Sequence, residues 1–355
     1  MSRLARILSR REWGIIRYNA TFQDFAALLY ILIVFQQYRL TFIGEALLFL
    51  LFSTAMTGYG YFVNDLADQD VDRHLGKPNA FHGVARGAAW ALTGGFLLVG
   101  LLCALPFLAR PGFAAALGGW VFCSSAYSLP PLRWKERGAL GLVVTVAAQQ
   151  VLPMLLLFLA LAPMLDWGAG LFILYAALRG LSSDLGHQMR DAAGDSRTGT
   201  RTFAVRAGPR WAGMIYALSL ELERLATVLL LGWMIYRIPR IQTGAFLIPF
   251  SPAWPLLIGY LALALPCVGQ SWQAYRRGEL LSVDPYNEAR QNAARDRLHL
   301  AHHSFPAVIL PLGLCAVAGV YYIPSLVFGL LIGWIFGLYR PTVWRGLLHR
   351  RNSLS

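Results

Sequence analysis

An all-α bundle of membrane-spanning helices, nine to ten of them with ten favoured, is the fold this sequence predicts, and three observations predict it. Of the 355 residues, 57% are hydrophobic and 14% charged, with a mean hydropathy of +0.50, whereas a soluble domain carries about a quarter charged residues. Apolar runs of about 20 residues, the length that crosses ~30 Å of hydrocarbon, recur along most of the chain. They are rich in Leu, Ala and Gly and lack the alternation of barrel strands, so the backbone must satisfy itself as helix. The third observation is that the cations sort to one side of these runs.

Taken in order, the spans are 23–37 and 43–63, divided by an outer loop with Arg39; then 88–108 and 111–128, which meet at Arg110. The fifth, 139–162, follows a loop holding Arg133, Lys135 and Arg137, and the sixth, 167–183, runs into an acidic stretch. The seventh, 212–236, ends at Arg237 and Arg240; the eighth, 244–269, leads into a polar segment, 271–305. The last two, 303–322 and 324–340, share a Tyr-Tyr-Ile-Pro-Ser corner. With the N-terminus inside, Arg39, Arg110, Arg237 and Arg240 lie outside and Arg179 and Arg224 within spans, so all but six of the 31 Lys and Arg residues are on the inner side.

That asymmetry places both termini in the cytoplasm and accounts for the net charge of +13 by the positive-inside rule. Nucleic-acid binding is excluded as its explanation, since no fold or aromatic-basic platform supports it. An even number of spans keeps basic Arg340, Arg345, Arg350 and Arg351 inside with Arg3, Arg6, Arg10, Arg11 and Arg17. Cys103, Cys123, Cys267 and Cys315 lie singly in apolar spans and read as small buried hydrophobes. Only 2 of the 31 cations are lysine, Lys77 and Lys135, a composition of GC-rich genomes that suggests a bacterial plasma membrane. No secretory signal, internal repeat or low-complexity tract is visible, and residues 1–355 read as one bundle.

Behind the uncharged second span comes YFVNDLADQDVDR, where Asn64, Asp65, Asp68 and Asp72 follow N-D-x-x-D-x-x-x-D. On a helix the three aspartates share one face. Stacked like charges repel, and more strongly beside a low-dielectric slab, so a cationic partner is required. SSDLGHQMRDAAGDSRTGTRT follows the sixth span, and its Asp184, Asp191 and Asp195 again fall on one helical face. By the topology both clusters end on the inner side, where they would open into one cavity and hold divalent ions between them. Carboxylate and amide oxygens with no cysteine suit Mg²⁺, which borrows ligands from substrate phosphate. Lys77, Arg133, Lys135, Arg190, Arg197 and Arg201 would neutralise such a phosphate; each alone also reads as a positive-inside anchor.

NDLADQDVD resembles the first aspartate-rich motif of the UbiA superfamily of intramembrane prenyltransferases, and DAAGD with Asp184 and the following GTRT resembles the second. AYSLPPLRWKERGALG, 126–141, is similar to that family's inner loop between spans 4 and 5. The resemblance covers roughly residues 15 to 270 and implies that an isoprenoid diphosphate binds with Mg²⁺ between Asn64, Asp65, Asp68 and Asp72 on one side and Asp191 and Asp195 on the other. It implies catalytic roles for Asp68, Asp191, Lys135 and Arg201, the last two toward the diphosphate; beside it, Asn64, Arg133, Tyr127, His187 and Asp184 are read as the residues against substrate. The chemistry implied is metal-assisted ionisation of the allylic C–O bond and capture of the carbocation by an acceptor, in an aromatic cavity for which Tyr59, Tyr61, Tyr127 and Tyr175 are the candidates.

Three features depart from or exceed the resemblance. His187 precedes Asp191 where relatives often carry another acid and a tyrosine, leaving the acceptor open among aromatic acids, quinone precursors, tetrapyrroles, sugar phosphates and terpenoids. Glu221, Glu223 and Arg224 sit within the seventh span, as a structural lock or as an acceptor contact. The segment 271–305 reads either as a solvated face on anionic lipid or as a lid bringing Tyr286, Asn287, His302 and His303 toward the acceptor. The competing functions are a transporter that uses the acids as a cation path, an enzyme of the same fold that cyclises or hydrolyses the diphosphate, and a structural scaffold, for which facing acid clusters have no use.

Overall fold

The structure, a computed structural model, describes residues 13, 16, 20, 24–197, 199–240, 242–243, 246–247, 250–287 and 292–335. The terminal cations Arg3, Arg6, Arg10, Arg11, Arg17, Arg340, Arg345, Arg350 and Arg351, with Arg290, lie outside the described residues. The described residues form ten helical passes. Helix α1 is Asp24–Val34, α2 Leu40–Leu75, α3 Arg86–Ala104 and α4 Phe113–Ser128. Helices α5, Ala139–Val146, and α6, Leu152–Leu161, are one rod joined by a π-turn at Ala147–Val151. Helix α7 is Trp167–Arg197, α8 Phe203–Arg237, α9 Trp254–Ala264 and α10 Gln270–Arg276. Helix α11, Ala293–His299, passes through a ten-residue π-helical stretch, Leu300–Ile309, into α12, Leu310–Tyr321, and α13 is Ile323–Ile335.

Five rods are long and apolar enough to cross a membrane: Leu40–His74, Arg86–Phe107, Ala139–Leu161, Trp254–Arg276 and Arg295–Tyr321. Their outward flanks are apolar, with Leu51, Leu98, Val143, Ile258 and Val320 all exposed, as expected where lipid replaces water. Helices α7 and α8 are as long but carry ionisable side chains inside the bundle, which lowers their hydropathy. Helix α7 packs along α8, α2 along α3, and α12 against both α13 and α1, while α1 also lies against α6, closing the ring. Its outer half is filled by Tyr30, Phe49, Phe52, Phe158 and Phe172, all buried. Where lipid is as apolar as leucine, close approach rather than water exclusion holds such helices together. At the α2–α3 contact, a Cβ on Gly100 would stand 2.5 Å from Met56 Sδ and one on Gly58 2.8 Å from Phe96.

The predicted eighth span begins too early. Gln242–Thr243 and Phe246–Leu247 pair as a short antiparallel hairpin, and helix starts only at Trp254. The apolar run 244–253 contains Pro249 and Pro252, which have no N–H to give a helix interior, and Pro255 falls where a first turn tolerates it. The reading of 271–305 as a solvated face also gives way: Ser271, Asp284, Arg295, His299, His302 and Ser304 are buried. In α8 the backbone breaks at Gly208, φ 76° and ψ 165°, ahead of Pro209, so the helix that crosses the membrane starts near the expected residue 212.

Candidate active site

Helix α2 has 36 residues, or roughly 54 Å at 1.5 Å per residue, so its inner end stands clear of the hydrocarbon and carries Asp65, Asp68 and Asp72 as one helical face. The carboxylates of Asp68 and Asp72 meet different partners. Asp68 receives Arg133 Nη2 at 3.0 Å and a short contact from Lys135 Nζ. Lys135 also reaches Asn64 Oδ1 at 3.3 Å, which accepts from Ser128 Oγ at 3.0 Å. Asn79 binds the other two positions, donating Nδ2 to the Asp65 carbonyl and to Asp72 Oδ2, both at 2.8 Å. The acidic repulsion that the spacing foretold is thus relieved by cations on one side and an amide on the other. Asn79, a neutral residue in a loop, gave no such signal in the sequence.

The cations come from the 129–138 loop. Arg133 is held at φ 38°, a left-handed conformation that costs a residue with a Cβ about 1 kcal/mol. Its bonds to Asp68 and, at 2.5 Å, to Glu136 hold it there. Gly138, at φ 60°, donates its N–H to the Arg201 carbonyl at 3.2 Å, and a Cβ there would meet Arg206 Cδ at 2.7 Å. This contact ties the lysine loop to the Thr200–Thr202 turn that follows the second acidic cluster. Burial pushes the Lys135 ammonium below the usual lysine range, with the Asp68 carboxylate opposing.

The second cluster stays on α7, which remains helical to Arg197. Asp184 accepts from Gln188 Nε2 at 2.8 Å, and Asp191 is exposed with His187 Nε2 at 3.4 Å. Asp195 accepts from Thr202 Oγ1 at 3.3 Å, and burial, with Asp191 nearby, raises its carboxyl above the usual aspartate range. Arg201 is exposed and is anchored through its carbonyl rather than its side chain. Among the described residues no three carboxylates or histidines converge closely enough to ligate one ion by themselves.

What joins the clusters is a cavity of about 570 Å³ running from the inner face into the bundle, lined by Asn64 from α2 and by Asp184, His187 and Arg190 from α7. Tyr127 stands on its wall within electrostatic reach of Asp184, Asp68 and Asp195. Tyr61 is on the wall too, but Tyr59 is buried with its hydroxyl 2.7 Å from Ser125 Oγ and Tyr175 is buried away from the cavity. The interior is more polar than the expected aromatic pocket. The π-turn at 147–151 contributes Gln149 and Gln150, a distortion typical of functional sites and not readable from hydropathy.

Helices with lipid-facing flanks around an inward cavity, its mouth set with cations against two acidic helix ends, define an integral membrane enzyme acting on an anionic leaving group. The chain belongs to the UbiA prenyltransferase family, whose sequence profile matches residues 25–281, and it is a prenyltransferase. Solved structures similar in fold include a UbiA homologue from Archaeoglobus fulgidus bound to DMAPP and Mg²⁺, 19% identical, TM-score 0.57, covering 90% of this chain and 100% of that one. A digeranylgeranylglyceryl phosphate synthase is 14% identical at TM-score 0.56, covering 90% and 99%. The apo UbiA homologue from Aeropyrum pernix K1 is 16% identical at TM-score 0.54, covering 88% and 99%. Among curated protein sequences, none is significantly similar to the chain.

Proposed function

We propose that the protein transfers a prenyl group from an isoprenoid diphosphate to a small polar acceptor inside the membrane, in a Mg²⁺-dependent reaction at the cytoplasmic face of a bacterial plasma membrane. The observation that carries this reading is Lys135, which reaches both Asn64 and Asp68 at the cavity mouth while Arg133 holds the same carboxylate. Two partly buried cations on one aspartate are what an arriving diphosphate needs: they can turn from carboxylate to phosphate with no further protein cation having to move in.

The donor set fits a hard divalent ion, being all carboxylate and amide oxygen, with Asp191 exposed and Asp68 occupied by cations that the phosphate would draw off. Asn64, Asp65, Asp68, Asp72, Asp191 and Asp195 would hold it, and when bound it would supply Lewis-acid stabilisation of the leaving diphosphate. Lys135 and Arg133 orient and neutralise the diphosphate. Arg201, at the same rim, adds charge from solvent. Tyr127 and the deeper wall keep water from the allylic carbon.

The polar lining, with Gln149, Gln150, Ser124 and Thr145 facing the cavity, favours an acceptor with hydrogen-bonding groups, such as an aromatic acid, a quinone precursor or a sugar phosphate, over a terpenoid end group. The test is pyrophosphate release by purified protein offered geranyl, farnesyl and geranylgeranyl diphosphate with Mg²⁺ or EDTA and a panel of those acceptors. Release that needs the metal and falls about 100-fold or more in Asp68→Asn is expected. Equal release by that variant would refute the reading.

A further inference from the structure

A second polar cluster lies behind the cavity wall, and four of its side chains, Asp284, Tyr286, His299 and His302, come from beyond residue 281, past the part of the chain that matches the family. Glu223 of α8 is 1% exposed and accepts the Tyr286 hydroxyl through both oxygens, at 2.8 and 3.0 Å, and Ser182 Oγ of α7 at 2.6 Å. Arg179 Nη1 is 3.8 Å and His302 Nδ1 3.1 Å from the same carboxylate. Arg179 also donates to the His302 carbonyl at 2.6 Å and lies over the Tyr286 ring, 5.2 Å from its centre. Asp284 accepts from Tyr216 at 2.7 Å and from the Tyr286 N–H at 2.9 Å, and pairs with Arg190 on the cavity wall. His299 Nδ1 is 2.9 Å from the Pro285 carbonyl. Arg224 pairs with Glu221 and meets His302 Nε2 at 3.0 Å.

Charge within the network balances: Glu221, Glu223 and Asp284 against Arg179, Arg190 and Arg224. Desolvating three such pairs is costly before their attraction offsets it, and apolar packing would hold the helices at least as well. The cost therefore needs a purpose other than stability. Its geometric result is a single one: the turn 284–286 is fastened to α7, α8 and the π-helical stretch, and the one side chain it sends to the cavity wall is Tyr286.

We propose that Tyr286 is a positioning residue that closes the acceptor side of the cavity, its ring fixed by Glu223 and Asp284 so that water does not reach the prenyl cation before the acceptor does. This rests on the diphosphate-ionising reading above. Tyr286 lines the same cavity as Asn64 and Asp184, so the residues read as activating the leaving group and the one read as limiting what captures the cation border a single chamber. Capture by water breaks the allylic C–O bond to diphosphate, forms a C–O bond to water and releases a proton to solvent, giving a prenyl alcohol.

The experiment uses the full chain in detergent with Mg²⁺ and each of the three donors, no acceptor added, and measures pyrophosphate and prenyl alcohol together. Tyr286→Ala is expected to release alcohol about tenfold faster than the unmodified protein at an unchanged KM for donor, with Tyr286→Phe and Asp284→Asn in between. A gain in rate is not what misfolding produces, and Tyr30→Phe, which disturbs the outer core, should show no gain. If Tyr286→Ala makes alcohol no faster while Asp68→Asn abolishes pyrophosphate release, the capping role is wrong and the prenyltransferase reading stands. If, with the acceptor panel added, the unmodified protein still releases no more pyrophosphate than Asp68→Asn from any donor, both fall.

Discussion

Lys135 sits where its proton matters. Burial lowers its pKa from the ordinary 10.5 and Asp68 only partly restores it. The cationic form, present below that pKa, is lost as pH rises through it, so counter-charge for the diphosphate disappears at a lower pH than for an exposed lysine. Asp195 is shifted the other way, above 3.8, by burial and then by Asp191; its carboxylate form, needed to hold a divalent cation, is lost as pH falls through the raised value. The pH profile of kcat/KM for pyrophosphate release should therefore be narrower than ordinary lysine and aspartate values allow. Lys135→Ala should lower kcat/KM about 100-fold and remove the alkaline limb. Asp68, Lys135 and the second-cluster aspartates were legible in the sequence, because charge in an apolar chain is conspicuous and helical spacing assigns it to a face. Asn79 and Gln150 were not legible as site residues: each is uncharged and acquires its role from the fold around it, whereas Tyr286 was legible only as part of the lid reading of 271–305.

Two long helices do most of the placing. Helices α2 and α7 run past the membrane without a break and carry their acids out on continuous faces, which is why an i, i+3, i+7 reading of the sequence held in three dimensions. The 129–138 loop is a different kind of element, shaped by contacts rather than by propensity, and Gly138 is its tie to the turn at Arg201. Gly138→Ala meets both a positive φ and Arg206. It should destabilise the loop by about 1–2 kcal/mol and raise the donor KM several-fold through Lys135. Gly170→Ala, on an open helix face with nothing within 4 Å, should leave the KM unchanged and gives the comparison in the same assay. The hairpin at 242–247 marks the limit of hydropathy: an apolar run long enough to cross a membrane is not a helix where prolines interrupt its hydrogen bonds.

Across the whole molecule, the cationic inner face predicts orientation. In a variant without its four cysteines, a single cysteine at Lys77 should react with a membrane-impermeant maleimide only from the cytoplasmic side. One at Arg110 should react only from the other side. Reaction of both from one side would overturn the ten-pass topology. Membrane residence, helical class and the acidic faces were determined by the sequence alone, because hydropathy and helical period are properties of neighbouring residues and survive any arrangement of the bundle. The tertiary structure alone decided which cation meets which acid, that the π-turn directs Gln149 and Gln150 into the cavity, and that Asp284, Tyr286, His299 and His302 pack into the bundle instead of lying on lipid. Those outcomes depend on helices brought together from opposite ends of the chain, and buried charges such as Glu223 and Asp284 find their partners only when that packing is complete.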